Sequence, residues 1–181
     1  MSLYAMSDLH LSFYKEKPMD IFDSVWKDHP QKILERWNST QKLNEMFDSM
    51  SFLKNNFYEF ENYLICGTRG WICPGDTRYT DHDKKIYLRE VGRLKLSLES
   101  AVNSSKFNDN IILMMHFPPT NDKHDRSEFI ELIEKYNIKR VVYGHLHGKK
   151  KYDNSLIGNK NNVEYSLVSA DYLGFTPIKI L

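Results

Sequence analysis

Apolar runs separate polar segments along the chain, and three of these runs predict buried strands. They are "LYAMS" near the start, "NIILMM" at residues 110–115 and "KRVVY" at residues 139–143. Continuous apolar runs of this length are typical of strands that are covered on both faces. A fourth stretch, "NFYEFENYLICGT", alternates aromatic and polar residues around a turn, which predicts a hairpin.

Helical periodicity accounts for most of the remaining apolar positions. "DKKIYLREVGRLKLSLESAVNSS" predicts the longest helix, and "SEFIELIEKYN" predicts another with Ser127 as its N-cap. "QKILERWN" and "STQKLNEMFDSMSFL" predict two further helices, and residues 146–162 predict a long mobile loop. Strands and helices alternate in the second half, which predicts an α/β layered sheet. The expected apolar stripe of the longest helix is Leu88, Val91, Leu94, Leu98 and Val102.

Length and composition place the chain among ordinary globular proteins. Its 181 residues suit one core, so we expect a single domain over residues 1–181. The net charge of +1 gives no general attraction to nucleic acids or membranes, and we predict no such partner and no specific protein partner. No apolar run approaches the roughly 20 residues of a membrane span, and we see no signal peptide. A cytoplasmic location follows, with Cys66 and Cys73 as free thiols, although a disulfide between them stays open.

Aspartate and histidine follow directly after the three apolar strands. Asp8 and His10 come after the first, His116 after the second, and His145 and His147 after the third. In an α/β sheet, functional groups gather beyond the carboxyl ends of the strands. Residues two positions apart on a strand face the same way, so each aspartate–histidine or histidine pair can act together. Imidazole and carboxylate donors suit zinc, manganese or iron.

Each of these patterns is weak by itself, and only the combination favours a metal centre. A lone histidine such as His116 is more often a hydrogen-bonded surface group, and Asp-x-His recurs by chance. Gly-His-x-His is more specific, because Gly144 lets the backbone approach closely as the strand turns. For Lys149–Lys151, we expect a solvated loop rather than an anion site. The remaining histidines, expected to be solvated in polar turns, are His29, His82 and His124.

Three of these stretches resemble a known family. "SDLHLSF", "MMHFPP" and "YGHLHG" are similar to the first, fourth and fifth motifs of the calcineurin-like metallophosphoesterases. "ICGTRGW" and "YSLVSADYLGFTPIKIL" resemble a bacterial branch of that family. The resemblance runs over nearly the whole chain. It implies a two-sheet αββα sandwich with a dinuclear metal site at one edge.

The resemblance also implies a role for each matching residue. Asp8, His10 and His147 would hold the first metal, and His116 and His145 would help to hold the second. The cofactors would be two divalent ions from among Mn, Fe and Zn. Arg69 would reach the phosphate and Trp71 would form a pocket wall, although structural roles for these two residues are about equally open.

Two motifs of the family have no counterpart in the chain. One is Gly-Asp-x-x-Asp or a shortened form, whose aspartate bridges the metals, and the other is Gly-Asn-His followed by Asp or Glu. No Asn-His dipeptide occurs in the sequence. Two predicted helices follow each other near Asn38–Gln41, where the family has two strands, so about 50 residues of a βαβ unit are absent there. Three explanations stay open: a disordered segment left out of the numbering, a truncation, or a natural degenerate member.

The sequence therefore predicts a metal-dependent hydrolase of phosphomonoesters or phosphodiesters, acting on a phosphorylated small molecule or nucleotide. Metal would lower the pKa of a bound water and neutralise the phosphoryl oxygens. We expect metal binding to be weakened, and hydrolysis to need the absent segment, whose acid and bridging carboxylate no residue here replaces. The alternative is a catalytically degenerate metal-binding or scaffold protein that keeps the fold.

Overall fold

The structure is a computed structural model that describes residues 1–9, 24–29, 31–32, 53, 55–104 and 110–181. Most of the predicted helices "QKILERWN" and "STQKLNEMFDSMSFL" lies outside these ranges. The proposed gap near Asn38–Gln41 also lies outside the described residues.

Strands and helices alternate through the second half of the chain, as the apolar pattern predicts. The strands are β1 (Tyr4–Ala5), β2 (Phe57–Phe60), β3 (Tyr63–Thr68), β4 (Ile111–Met115), β5 (Arg140–Tyr143), β6 (Gly158–Lys160), β7 (Val163–Leu167) and β8 (Ile178–Lys179). The helices are α1 (Asp81–Ser104), α2 (Glu128–Lys135) and the short α3 (Lys149–Tyr152), and residues Ser24–Trp26 form a 3₁₀ turn.

Six strands form one sheet in the order β2-β3-β4-β5-β7-β6. The central pairs β3–β4, β4–β5 and β5–β7 are parallel, while β2 and β6 add antiparallel edges through hairpins. Parallel neighbours need crossover connections, and α1 and α2 supply two of them. Strands β1 and β8 pair in a second sheet, which an isolated bridge between Ser7 and Ser169 joins to the end of β7.

Alternate residues of the central strands pack on opposite faces of the large sheet. Leu113 of β4 and Val141 of β5 belong to the main core with Leu94 and Leu98 of α1. Ile112 and Val142 point the other way and belong to a second core. The remaining buried members of that second core are Ala5, Val168 and Ile180, which come from the small sheet and the end of β7. The observed mixed α/β architecture with two sheets confirms the predicted fold class.

Several local predictions are confirmed. The "ENY" turn joins β2 and β3 as an antiparallel hairpin. The hydroxyl of Ser127 accepts a hydrogen bond from the N–H of Ile130 and caps α2. Both cysteines are free and buried, as predicted for reduced thiols.

Three local predictions are wrong. Leu88 is 46% exposed, and the neighbouring Tyr87 takes the buried position on α1, because its hydroxyl also accepts a hydrogen bond from the α2 residue Glu128. His29 is buried rather than solvated, since its ring packs against Trp26 and Phe175. The predicted loop over residues 146–162 contains α3 and β6, because the segment folds back to pair with β7.

Within the described residues, none of the helices combines the length and the apolar character needed to span a membrane.

Candidate functional site

The predicted ligands lie at the edge where β1, β4 and β5 end. Strands β4 and β5 are parallel neighbours, and the N–H of Gly144 donates to the carbonyl of His116 just beyond them, at 3.1 Å. The N–H of Ser7 donates to Val168 at 2.7 Å, which fixes the end of β1 against the end of β7. Asp8, His116, His145 and His147 meet here, whereas His10 lies outside the described residues.

The Asp8 carboxylate lies at the centre of this group, and its side chain is 2% exposed. One oxygen accepts hydrogen bonds from the Ser7 hydroxyl at 2.5 Å and from the His145 N–H at 2.8 Å. The other oxygen lies 3.3 Å from His116 Nδ1 and 3.8 Å from His147 Nε2. Burial raises the pKa of Asp8, but His147, Ser7 and the His145 N–H outweigh it and hold the pKa well below its usual range.

His116 and His145 form a close imidazole pair. Nδ1 of His145 lies 3.1 Å from Nε2 of His116, and the ring of Phe117 stacks on His145 with centroids 3.9 Å apart. Burial, together with the neighbouring His116, lowers the pKa of His145 to about 4. His145 is therefore neutral at physiological pH, which is the form that offers a nitrogen lone pair to a metal or a proton.

Nδ1 of His147 contacts a carboxylate that the sequence patterns did not single out. Its Nδ1 lies 2.9 Å from Asp171, whose side chain is 1% exposed. The same carboxylate accepts hydrogen bonds from the Gly148 N–H at 3.3 Å and from the Tyr152 hydroxyl. Burial lowers the pKa of His147, but Asp171 and Asp8 outweigh it and raise the pKa to about 9.

Two residues of the site have backbone conformations that non-glycine residues rarely adopt. Asp8 has φ 57° and His145 has φ 69°, both in the left-handed region. Such conformations persist where surrounding contacts fix them, and they cluster at functional sites. Gly144 explains the close approach between the two segments. A Cβ there would lie 2.0 Å from Ser7 Oγ and 2.2 Å from Asp8 Oδ2, so only glycine leaves room for the carboxylate.

The donor set has the right chemistry for a divalent metal, since carboxylate oxygens and imidazole nitrogens suit zinc, manganese and iron. The arrangement of these donors does not match that chemistry, because in the described part of the chain no group of three or more His, Cys, Asp or Glu side chains is placed to hold a metal ion. The polar atoms face one another instead, as in the contacts His145–His116 and His116–Asp8.

Arg69 lies next to the site along the backbone. Its carbonyl accepts hydrogen bonds from the N–H groups of His116 at 3.2 Å and Phe117 at 2.9 Å. Its guanidinium stacks over the ring of Trp71, 4.6 Å from the centroid, and lies 3.5 Å from the buried Glu90 carboxylate. The arginine side chain remains 47% exposed, so it presents a positioned cation to solvent beside the histidines.

A cavity of about 390 Å³ opens beside His145. Trp71, Phe117 and the α3 residues Lys150 and Lys151 are among the residues that line it. The lysine run that was expected to be a solvated loop therefore borders a concave surface next to the candidate ligands.

The sequence patterns missed Asp171, Ser7 and Tyr152. Asp171 carried a usable signal, because it follows the apolar strand "SLV" by two residues, much as Asp8 follows β1. Tyr152 carried none, since its role depends on a contact with Asp171, 19 positions away. Ser7 directly precedes Asp8 in the sequence, but a single serine does not indicate that its hydroxyl binds the neighbouring carboxylate.

Comparison with protein-family models identifies a family that the chain matches. The model described as calcineurin-like phosphoesterase covers residues 28–149. This range contains His116, His145 and His147 but not Asp8 or Asp171. No curated protein and no solved structure matches the chain significantly.

Proposed function

Because the chain belongs to the calcineurin-like phosphoesterase family, we propose that it hydrolyses a phosphomonoester or phosphodiester with a metal-activated water. One observation carries the proposal. Asp8, His116, His145 and His147 converge at one sheet edge with contacts of 2.8–3.8 Å between Asp8 and the three histidine residues. The substrate is a phosphorylated small molecule or nucleotide.

We assign the ligand roles as the family resemblance implies. Asp8 and His147 hold one divalent ion with His10, and His116 and His145 help to hold a second, each ion being Mn, Fe or Zn. When bound, such ions acidify a water and neutralise phosphoryl oxygens. The chain itself supplies Asp171, which fixes His147 through Nδ1 and leaves Nε2 facing Asp8.

We also propose that Arg69 binds the substrate's phosphoryl group. The guanidinium is positioned by Trp71 and Glu90 rather than free to turn, and its backbone is hydrogen-bonded to the His116 segment. A planar guanidinium matches phosphate oxygens in a two-point contact.

The test is hydrolysis of p-nitrophenyl phosphate by the purified chain with added Mn²⁺, compared with the His145→Ala and His82→Ala variants. His82 is an exposed histidine at the start of α1, so its variant is a matched control. Because no residue of the chain replaces the acid and the bridging carboxylate of the absent segment, we expect slow turnover, which His145→Ala should abolish and His82→Ala should leave unchanged. Turnover that His145→Ala leaves unchanged refutes the assignment.

A second candidate function is a catalytically degenerate metal-binding or scaffold protein. The observation in its favour is that the candidate ligands of the described segments contact one another and form no ready metal-holding group. Elemental analysis of purified protein separates the two functions. Bound metal with turnover supports the hydrolase, bound metal without turnover supports a degenerate metal-binding protein, and no metal supports a scaffold.

We further propose that residues 1–181 form one domain, that the protein is cytoplasmic, and that it belongs to a bacterial branch of the family. The last point rests on the resemblance of "ICGTRGW" and the closing segment.

A further inference from the structure

The cavity beside His145 is lined by both apolar and charged side chains. Its apolar lining is formed by Trp71, Ile72, Phe117, Pro118, Leu146 and Leu156. Trp71 and Phe117 lie with ring centroids 5.0 Å apart, and Phe117 stacks directly on His145. An apolar surface thus extends outward from the imidazole pair, and such surfaces suit a flat apolar group.

The charged residues of the lining include more cations than anions. The cations are Arg78, Lys150 and Lys151, and the anions are Asp76 and Asp122. Arg78 is paired with Asp76 at 3.3 Å. Neither lysine forms an ion pair with any residue that the structure describes, and Lys151 lies within electrostatic reach of both Asp76 and His145. One net positive charge therefore remains available to a ligand in the cavity.

The helix that carries the two lysines is tied to the candidate ligands. The Tyr152 hydroxyl, at the end of α3, donates to Asp171, and the N–H of Gly148 donates to the same carboxylate before α3 begins. Asp171 in turn holds His147 at 2.9 Å. The backbone of Lys150 and Lys151 therefore has a defined position relative to the imidazoles. The backbone of lysines on a loop without such contacts would not.

We propose that this cavity binds the leaving group of the substrate and selects leaving groups that join a flat apolar body to a negative charge. The apolar body contacts Trp71 and Phe117, and the charge lies near Lys150 and Lys151. The inference rests on the proposed phosphoesterase function, because it requires the phosphoryl group to lie beside His145.

A binding experiment tests the cavity without any turnover. The probes are 4-hydroxybenzoate and phenol, which share an aromatic ring and differ by one carboxylate, and the method is isothermal titration calorimetry at low ionic strength. We expect wild type to bind 4-hydroxybenzoate more tightly than phenol. The double variant Lys150→Gln/Lys151→Gln should weaken 4-hydroxybenzoate binding roughly 2- to 10-fold, the range for exposed charge pairs, with phenol binding unchanged.

Lys149→Gln is the matched control, because Lys149 belongs to the same helix and does not line the cavity. It should leave both affinities unchanged. Equal binding of the two probes, or equal effects of Lys149→Gln and the double variant, overturns the proposal.

A kinetic experiment separates failure of this inference from failure of the proposed function. Hydrolysis of 4-carboxyphenyl phosphate adds one water across the P–O bond and yields inorganic phosphate and 4-hydroxybenzoate, while phenyl phosphate yields phenol. With Mn²⁺ present, kcat/KM should favour the carboxylated substrate, and the preference should fall roughly 2- to 10-fold in the double variant.

Turnover of both substrates with no preference overturns the cavity assignment and leaves the phosphoesterase function intact. Absence of turnover with selective binding of 4-hydroxybenzoate overturns the phosphoesterase function and retains the cavity as an anion-selective aromatic site.

Discussion

At the scale of single residues, Asp171 connects the histidine site to the helix beside the cavity. Its carboxylate contacts His147, the Gly148 N–H and the Tyr152 hydroxyl at once. A carboxylate on Nδ1 fixes both the ring orientation and the tautomer of an imidazole whose Nε2 faces a ligand. Asp171 is therefore a positioning residue for His147.

Replacing Asp171 with asparagine should weaken Mn²⁺ binding roughly 10- to 100-fold, the usual effect of losing an outer partner of a ligating histidine. The amide keeps the shape of the side chain and loses the charge that orients His147. Isothermal titration calorimetry with Mn²⁺ measures the change. Asp153→Asn, at an exposed position just after α3, is the control and should bind as wild type does. Equal affinities for the two variants would contradict the positioning role.

Gly144→Ala and Gly92→Ala should change stability in opposite directions. At Gly144 the new methyl group meets Ser7 Oγ and Asp8 Oδ2 at 2.0 and 2.2 Å, so we expect a loss of about 1–3 kcal/mol. At Gly92, on α1, nothing lies within 4 Å, so alanine should gain up to about 1 kcal/mol from helix propensity. Urea unfolding monitored by circular dichroism gives both values. If Gly144→Ala left the free energy of unfolding unchanged, Asp8 would not approach the backbone of residue 144 as described.

At the scale of elements, α1 is attached to β3 through buried polar groups as well as apolar ones. Glu90 is 1% exposed and accepts hydrogen bonds from the Thr68 hydroxyl at 2.9 Å and from Arg93 at 2.7 Å. The Ser97 hydroxyl accepts from the Gly67 N–H and donates to the Asn56 carbonyl. The helix therefore fixes β3, which ends at Thr68 just before Arg69.

Removing the charge of Glu90 tests this attachment. Glu90→Gln should lower the free energy of unfolding by about 1–3 kcal/mol, because a buried carboxylate that binds charged donors is lost, although its arginine partners are partly exposed. Glu99→Gln makes the same change on the same helix at an exposed pair with Lys95, and should cost no more than about 0.5 kcal/mol. Guanidinium unfolding curves of both variants give the comparison, and similar losses would remove Glu90 from this role.

Strand ends were predictable from the sequence because buried strands leave uninterrupted apolar runs, as in "NIILMM" and "KRVVY". The short α3 and β6 were not, since "KKKY" and "GNK" have no apolar period and depend on contacts with Asp171 and β7. Leu88 and Tyr87 illustrate a third case, in which one position of the predicted stripe is replaced by its neighbour: Tyr87 is buried, and its hydroxyl accepts a hydrogen bond from the Glu128 N–H.

At the scale of the whole molecule, four of the five predicted ligands meet because three strands end at one edge, and that convergence was predictable from their order. The distances between the ligand side chains could not be predicted, because they depend on Asp171 and Gly144, which follow two different strands. The buried environment of both cysteines also depends on the complete core: burial raises the pKa of Cys66 to about 11 and of Cys73 to about 12.

Native protein should therefore resist alkylation by iodoacetamide at pH 8. The thiolate is the reactive form, and a pKa near 11 instead of 9.0 lowers its fraction at pH 8 roughly 100-fold. Mass spectrometry counts the modified thiols over time. The Leu96→Cys variant carries an additional thiol at a position that is 51% exposed on α1, and this thiol should react rapidly. Labelling of Cys66 and Cys73 in the native protein at the same rate as the thiol introduced by Leu96→Cys would contradict the burial described.

The pairing of β1 with β8 affects the order in which parts of the nascent chain fold. Asp8 is synthesised 137 residues before His145, from whose N–H it accepts a hydrogen bond. The preceding strand, β1, pairs with Ile178 and Lys179 of β8. Strands β4 and β5, which lead into His116 and His145, can pair before β8 has left the ribosome, whereas β8 is the strand with which β1 pairs among the described residues. A nascent chain can therefore bring His116 and His145 together before the pairing of β1 with β8 fixes the Asp8 carboxylate between them.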